Sequence, residues 1–374
     1  MSASWDVVIV GAGIVGAACA RECAQRGMRT AVVEANGIGG GATAAGMGHI
    51  VVMDDSHAQM ALTHYSQTLW QELSKSLPVD VEYEACGTLW VAADDEEMQE
   101  VHRKREVYAS AGVAAEVLDG PALANAEPQL RKSLAGALLV PSDAVLYPPC
   151  AAGFLMAAAQ RLGAQLYRRK VHSARAGEVR FDDGTHLNST RIVIASGADA
   201  CELVAELPIK KRKGHLVITD RYVGFVRHQL VELGYLKSAH SSATDSVAFN
   251  VQPRRTGQLL IGSSRQYGAE DTAVNPQIVA AMTERAQWYL PKIGELSAIR
   301  IWTGFRAATP DKLPLIGAWP EDDSLFLATG HEGLGITTSL GTASMLVDHL
   351  EGAATAIPIA PYLPARFERS VVHA

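Results

Sequence analysis

Asp6-Val-Val-Ile-Val10 runs directly into Gly11-Ala-Gly-Ile-Val-Gly16, and the reading of this stretch decides the fold. The first five residues are a short, mostly β-branched apolar run, the pattern of a strand buried on both faces of a parallel sheet. The glycines follow as Gly-x-Gly-x-x-Gly, and the pattern predicts a helix from about residue 14 to 26, ended by Gly27. Thr30-Ala-Val-Val-Glu34 then reads as a second strand with an acid at its end. Strand, glycine turn, helix, strand and terminal acid together form a β-α-β unit of the dinucleotide-binding type. In such a unit the first glycine permits the tight turn and the second lets backbone approach a pyrophosphate. The third lets helix and strand pack closely, and the helix N-terminus favours the negative charge. Glu34 is expected to accept hydrogen bonds from a ribose hydroxyl.

Outward from this unit, Gly39-Gly-Gly41 and Gly46 to Gly48 make a glycine-dense loop. A helix is expected over 57–75, with Leu62, Tyr65, Leu69 and Leu73 at helical spacing, and strands around Cys86-Gly87. Asp94, Asp95 and Glu97 open another helix with acids at its positive end. Residues 150–162 read as helix, and Arg191-Ile-Val-Ile-Ala195 as a buried strand ending at Ser196-Gly-Ala198. From about 213 to 306 strands dominate (216–219, 247–252, 258–262), interrupted by one helix over 276–290. The chain returns to a strand (325–328), a glycine turn (330–335) and a helix (338–350), and its Pro-rich tail after Gly352 is expected to wrap the surface. Dinucleotide-type segments at the start, middle and end thus sandwich β-rich ones. The expectation is an α/β fold in two interleaved domains: a Rossmann-like cofactor domain (1–80, 145–210, 306–374) and an antiparallel-sheet substrate domain (81–144, 211–305).

Composition narrows the function classes. A chain of 374 residues, 48% hydrophobic and 20% charged, is an ordinary globular enzyme. Its net charge of −7 disfavours nucleic acid. The only basic cluster, Lys210-Lys-Arg-Lys213, reads as a solvated loop. Five scattered cysteines without CxxC spacing encode neither a zinc site nor an iron–sulfur cluster, and no metal site is expected. Cys19 and Cys23, one helical turn apart, read as small packing residues. This cysteine usage fits a reducing cytoplasm. The first apolar run, broken by glycines and stopped at Arg21, is too short to span a membrane, although attachment through another subunit stays open.

A nicotinamide enzyme and a flavin enzyme share the opening unit. The second glycine stretch, Gly39 to Gly48, and the matching turn near the C-terminus favour FAD, because a long cofactor laid across the fold needs further side-chain-free backbone. The chain resembles the D-amino-acid oxidase, glycine oxidase and sarcosine oxidase family of flavoenzymes over nearly its whole length. The residues that carry this are the opening fingerprint, Ala45-Gly-Met-Gly48, Ile194-Ala-Ser-Gly-Ala198, Pro253-Arg254 with Leu260-Ile-Gly262, Gly304-Phe-Arg306, Thr309-Pro-Asp311, Pro314-Leu-Ile-Gly317 and Ala328-Thr-Gly-His-Glu-Gly-Leu-Gly335. The run Gly46-Met-Gly-His-Ile-Val-Val-Met-Asp-Asp55 is similar to the flavin subunits of dehydrogenase complexes that act on D-hydroxyproline or opines or that form hydrogen cyanide.

The resemblance implies non-covalent FAD and oxidation of the C–N bond of a small amino or imino acid, D-hydroxyproline or D-proline in the first instance. It implies cofactor contacts at Gly11, Gly13, Ile14, Val15 and Gly16, at Glu34 and Ala35, and at Gly41, Ala42, Thr43, Gly46 and Met47. Further contacts are implied at Val171, Ala195 and Gly197, and at Gly330, Gly333, Leu334, Gly335 and Ile336. Arg306 is expected to pair with the substrate carboxylate, since a guanidinium gives bidentate hydrogen bonds and stays charged when desolvated. The bland alternative is an ion pair with Asp311. Asn250, where glycine-oxidase-like enzymes carry tyrosine, and His49 are the other substrate candidates. His49 could equally be structural, His331 reads as structural, and His215 has no assigned role. No cysteine lies beyond Cys201 to link the flavin, and Leu260 occupies the position of an oxygen-activating lysine, which leans towards a dehydrogenase. Electrons would leave to oxygen, a quinone or dye, or partner subunits with further redox cofactors. A glycine/sarcosine-type oxidase passing electrons to oxygen, a non-catalytic FAD electron-transfer subunit and an NAD-dependent dehydrogenase remain the alternatives.

Overall fold

The apolar run at the start does become a central strand. In the computed structural model, which describes residues 4–234 and 245–367, β1 (Trp5–Val10) pairs in parallel with β2 (Thr30–Glu34) on one side and with the strand His186–Ile194 on the other. Val7, Val8 and Ile9 are buried because both faces of this sheet are covered. The sheet continues from His186–Ile194 to Asp322–Thr329 in parallel and then to Leu315–Trp319 antiparallel. Beyond β2 it ends with Gln165–Arg168. A hairpin of Val171–Arg175 and Glu178–Phe181 extends it from His186–Ile194.

On one face, α1 (Ile14–Gln25) packs against the helices Pro148–Arg161 and Gly335–Glu351. The facing side of α1 is Ala17, Cys19, Ala20, Cys23 and Ala24, all small and buried, so the helices approach closely. Burial pushes both thiols up, Cys23 to about 12, which fits packing residues without thiolate chemistry. The final helix begins at Gly335, three residues before the expected start, because the glycine turn itself supplies its first turn.

A second sheet of nine strands runs in the order His331–Glu332, Ala298–Ala308, Lys210–Thr219, Leu259–Tyr267, Ser246–Pro253, Gln229–Glu232, Thr88–Ala92, Gly136–Val140, Glu116–Asp119. It is antiparallel except where Gln229–Glu232 lies parallel to Thr88–Ala92. One face is covered by the helix Pro276–Tyr289, whose Tyr289 stacks on Phe249 at 4.3 Å and 11°. The opposite face meets the first unit. There Gln252 Nε2 donates to the Met47 carbonyl (2.8 Å), and Leu216, Ile218 and Leu260 cluster with Met47. We propose the interleaved division read from the sequence with its exchange points moved. The expected boundaries at 210/211 and 305/306 fall inside the strands Lys210–Thr219 and Ala298–Ala308.

Two expectations are corrected. Lys210 to Lys213 is strand and not loop: Arg212 and Lys213 are buried, the former paired with Glu332, the latter with Asp271 at 2.9 Å. The described part of the tail, to residue 367, does not merely wrap the surface. Tyr362 is buried and donates to the Ala58 carbonyl (2.6 Å), and Arg366 pairs with Asp311 at 2.7 Å. Residues 368–374 of that tail lie outside the described part. Among the described residues no helix is long and apolar enough to cross a membrane.

Candidate functional site

A cavity of about 580 Å3 runs from the glycine turn after β1 to the facing side of the second sheet. The turn is built for close approach. Gly11 has φ +108°, and a Cβ there would lie 2.7 Å from the Ala195 carbonyl at the end of the neighbouring strand. Gly13, at the N-cap of α1, has no side chain to cap with. Thr43, from the second glycine stretch, takes over that task, its Oγ1 accepting from Ile14 N at 3.0 Å. Glu34 accepts from Ala12 N (2.7 Å) and Asn36 N (2.8 Å), which fixes its carboxylate beside the turn at the end of β2.

The expected cofactor contacts converge on this cavity from three distant parts of the chain. Gly11, Gly13, Ile14, Val15, Glu34, Ala35, Gly41, Ala42, Thr43, Gly46 and Met47 line it from the start, and Val171, Ala195 and Gly197 from the middle. Gly330, Gly333, Gly335 and Ile336 line it from the end. Two of the expected contacts do not line this cavity. Gly16 lies beneath the turn, where a Cβ would collide with the Gly11 carbonyl. Leu334 lines an adjoining, smaller cavity. The long cradle, with the N-termini of two helices opening on it at Ile14 and Gly335, suits an extended dinucleotide with an anionic centre. These residues fit FAD.

The smaller cavity, about 110 Å3, shares His49, Asn250 and Arg306 with the larger one, so the two open side by side. All three substrate candidates therefore lie at the junction. Arg306 Nη1 donates to the Ser264 carbonyl (2.9 Å), and its guanidinium lies over Gly214, where a Cβ would sit 2.9 Å from Cζ. Asp311, the alternative partner for Arg306, is engaged by Arg366. Asn250 Oδ1 and His49 Nε2 are buried with no hydrogen-bond partner among the described residues. Burial lowers His49 to about 3, so its imidazole stays neutral and one ring nitrogen is an acceptor. Buried polar atoms are nearly always paired in a finished structure, so two orphans at one junction mark a place where a polar ligand completes the site.

Sequence reasoning missed part of this cavity. Trp90, Gln229, Arg265, Asp55, Lys312 and Glu332 line it, drawn from separate stretches of the chain. Glu332 adopts φ +49°, unusual for a residue with a side chain, and Arg212 holds its carboxylate. Of the other histidines, His331 is buried with Nε2 against Thr342 Oγ1 (3.0 Å), a structural contact. His215 is wedged between Ser264 Oγ (3.0 Å) and Asn275 N (3.0 Å), with both ring nitrogens engaged. Behind the loop 51–55, Asp143 Oδ1 accepts from Val52 N (3.2 Å) and Gln67 Nε2 (2.8 Å). Buried Lys104 pairs there with Asp54.

The chain is similar to characterised flavoenzymes along its whole length. It is 29% identical to a glycine oxidase of Geobacillus kaustophilus over 381 residues, covering 97% of each chain. It is 27% identical to the hydrogen cyanide synthase subunit HcnC of Pseudomonas aeruginosa, covering 98% of this chain and 97% of the relative. The crystal structure of the G. kaustophilus glycine oxidase superposes with a TM-score of 0.86 at 28% identity, covering 97% of this chain and 99% of that one. An L-proline dehydrogenase from P. horikoshii shares the fold, with a TM-score of 0.87 at 24% identity and 99% of both chains covered. The model of the DAO family, FAD-dependent oxidoreductases, matches residues 6–349. A cradle built for an extended dinucleotide and a family match spanning both sheets lead to one conclusion: the chain belongs to the DAO family of FAD-dependent oxidoreductases.

Proposed function

We propose that the protein oxidises the C–N bond of a small amino or imino acid, with Arg306 holding the α-carboxylate. The observation that carries this reading is the junction of the two cavities, where one guanidinium stands beside two buried polar atoms without partners among the described residues, Asn250 Oδ1 and His49 Nε2. FAD, when bound, supplies the hydride acceptor. The chain's own part is positioning and proton control. A carboxylate anchored on Arg306 leaves the substrate one way to lie, which removes rotational freedom before the reaction. Asn250 and neutral His49 are acceptors for the N–H groups of the substrate. The cationic surroundings disfavour a protonated amine, and the amine must be neutral to release hydride.

Within the imino acids, D-hydroxyproline and D-proline are the first candidates, on the similarity of the 46–55 run to the flavin chains of dehydrogenase complexes. Leu260, at the position of an oxygen-activating lysine in sarcosine oxidases, is buried among Leu216, Ile218 and Met47 and supports a dehydrogenase. Similarity to HcnC, named as a subunit of a synthase, supports a partner that takes the electrons.

The test is anaerobic mixing of the purified holoprotein with D-hydroxyproline, D-proline, sarcosine and glycine while flavin absorbance is followed, then admission of air. Bleaching by one of them with slow recovery in air is expected. Fast recovery would mark an oxidase. A protein that only passes electrons would not bleach with any amino acid. Arg306→Lys is expected to lower kcat/KM by about 100-fold, since lysine cannot reproduce a bidentate, desolvated pair. An unaltered kcat/KM in that variant would remove Arg306 from the substrate site.

A further inference from the structure

His215 is buried in the strand Lys210–Thr219, next to Gly214 and the Arg306 guanidinium that lies over it, and the chemistry above gives it no task. Its ring joins two segments. Asn275 N donates to Nε2 at 3.0 Å, and Nδ1 meets Ser264 Oγ at 3.0 Å. A backbone N–H can only donate, so Nε2 is the acceptor and the ring proton sits on Nδ1, aimed at Ser264. His215 N donates to the same hydroxyl oxygen at 2.9 Å. Both lone pairs of Ser264 Oγ are thereby taken, which holds that side chain in one orientation. Burial, and then the charges of Lys213 and Arg306, lower the pKa of His215 and keep the ring neutral.

Through Ser264 this contact reaches the site. The ladder between Lys210–Thr219 and Leu259–Tyr267 is irregular from Lys213 to Val217, and none of its register pairs includes Ser264. At this break the Ser264 hydroxyl receives His215 N, and the Ser264 carbonyl accepts from Arg306 Nη1 at 2.9 Å. A carbonyl can fix a guanidinium nitrogen only if its own residue is fixed. The ring of His215 does that where the regular ladder does not. We infer that His215, with its proton on Nδ1, is a positioning residue for Arg306: by holding Ser264 it sets where the guanidinium stands for a substrate carboxylate. The inference rests on the reading of Arg306 given above. The Asn275 contact alone would make His215 a peg for the helix Pro276–Tyr289, whose N-cap is Asn275. The Ser264 contact carries its influence to the site.

The test is anaerobic flavin reduction in the holoprotein at increasing concentrations of whichever of glycine, sarcosine, D-proline and D-hydroxyproline bleaches it. This gives the limiting rate and the half-saturating concentration separately. His215→Phe keeps a ring and removes both nitrogens. It is expected to raise the half-saturating concentration about tenfold, with the limiting rate within about threefold and FAD content retained. His215→Gln, whose amide both donates and accepts, should recover most of that loss. In the Arg306→Lys background, adding His215→Phe should change the half-saturating concentration by less than about twofold, because the group it acts through has gone. Ser264→Ala removes the link itself and should raise the half-saturating concentration about fivefold. It decides the matter if His215→Phe does not fold. An unchanged half-saturating concentration in His215→Phe or Ser264→Ala overturns the inference, and a lowered Tm beside it marks the structural peg. An equal loss in His215→Gln, or an undiminished effect of His215→Phe in the Arg306→Lys background, overturns it too. In each of these cases Arg306→Lys alone still impairs turnover, so the amino-acid reading stands. An unimpaired Arg306→Lys, or no reduction by any of the compounds, removes that reading and the inference with it.

Discussion

Thr43 and Asp143 show how far a single side chain can act from its own element. The first N–H groups of a helix have no partner within it, and Gly13 must be glycine for the backbone to approach a phosphate. The hydroxyl of Thr43, from 29 residues away, satisfies Ile14 N instead, and Thr43 also lines the cofactor cavity. Thr43→Val keeps the shape and removes the acceptor. It is expected to weaken FAD binding about tenfold, measured by titrating apoprotein with FAD and following flavin fluorescence. Asp143 holds the loop beside the smaller cavity from behind, and burial raises its carboxyl from the usual 3.8 to about 7. The folded state thus holds a proton that the unfolded chain releases near pH 4. The associated stability is fully present below that pH and is lost as pH rises through 7. Asp143→Asn should flatten the fall of Tm between pH 4 and 7, where at most about 4 kcal/mol is at stake. A parallel fall in both proteins would show that Asp143 is already ionised in the folded state over this range or that other groups set the profile.

At the scale of elements, the ladder between Lys210–Thr219 and Ala298–Ala308 carries Arg306, the proposed carboxylate anchor. Gly214 lies opposite Gly304, and Arg212 opposite Arg306. The two glycines are cleared for different neighbours: Gly304 for Ala45 of the cofactor loop, Gly214 for the guanidinium of Arg306 itself. A side chain at Gly214 must displace that guanidinium. Gly214→Val is therefore expected to raise KM for a carboxylate substrate by about tenfold or more, with FAD content retained; steady-state kinetics and the visible spectrum separate the two effects. The same ladder explains why the basic cluster misled. Four consecutive cations read as solvated by composition. In the strand, Arg212 and Lys213 point to opposite faces, and each meets its own carboxylate, Glu332 or Asp271.

Across the whole molecule, the cofactor cavity is lined by residues from the start, middle and end of the chain, and both sheets contribute to it. Occupancy should therefore stabilise the whole chain and not one unit. At a free FAD concentration near 100 times Kd, binding to the folded state alone adds about 2.7 kcal/mol. Apoprotein should melt at a lower temperature than holoprotein in a calorimetric scan, and saturating FAD should raise both units together. A holoprotein whose second sheet melted at an unchanged temperature would show that the units are energetically independent. The tail belongs to this scale too, because Tyr362 ties the C-terminal region to the carbonyl of Ala58 on the helix His57–Ser74.

Local chemistry was enough to read the first unit from the sequence. The β-branched run, the glycine spacing, the helix and the terminal Glu34 are neighbours along the chain, and each has a backbone reason to be where it is. The turn at 330–335 and the arginine at 306 were legible for a different reason, as motifs of a recognisable family. Tertiary structure alone decided the far side of the smaller cavity. Trp90, Gln229, Arg265 and Lys312 have no common spacing, and they meet because the strand order places Thr88–Ala92 beside Gln229–Glu232, with Leu259–Tyr267 two strands further across the same sheet. Strand pairing between segments more than about a hundred residues apart leaves no periodic mark in a sequence. Whether Arg212 and Lys213 are solvated or buried was likewise settled by which carboxylates the fold brought to them.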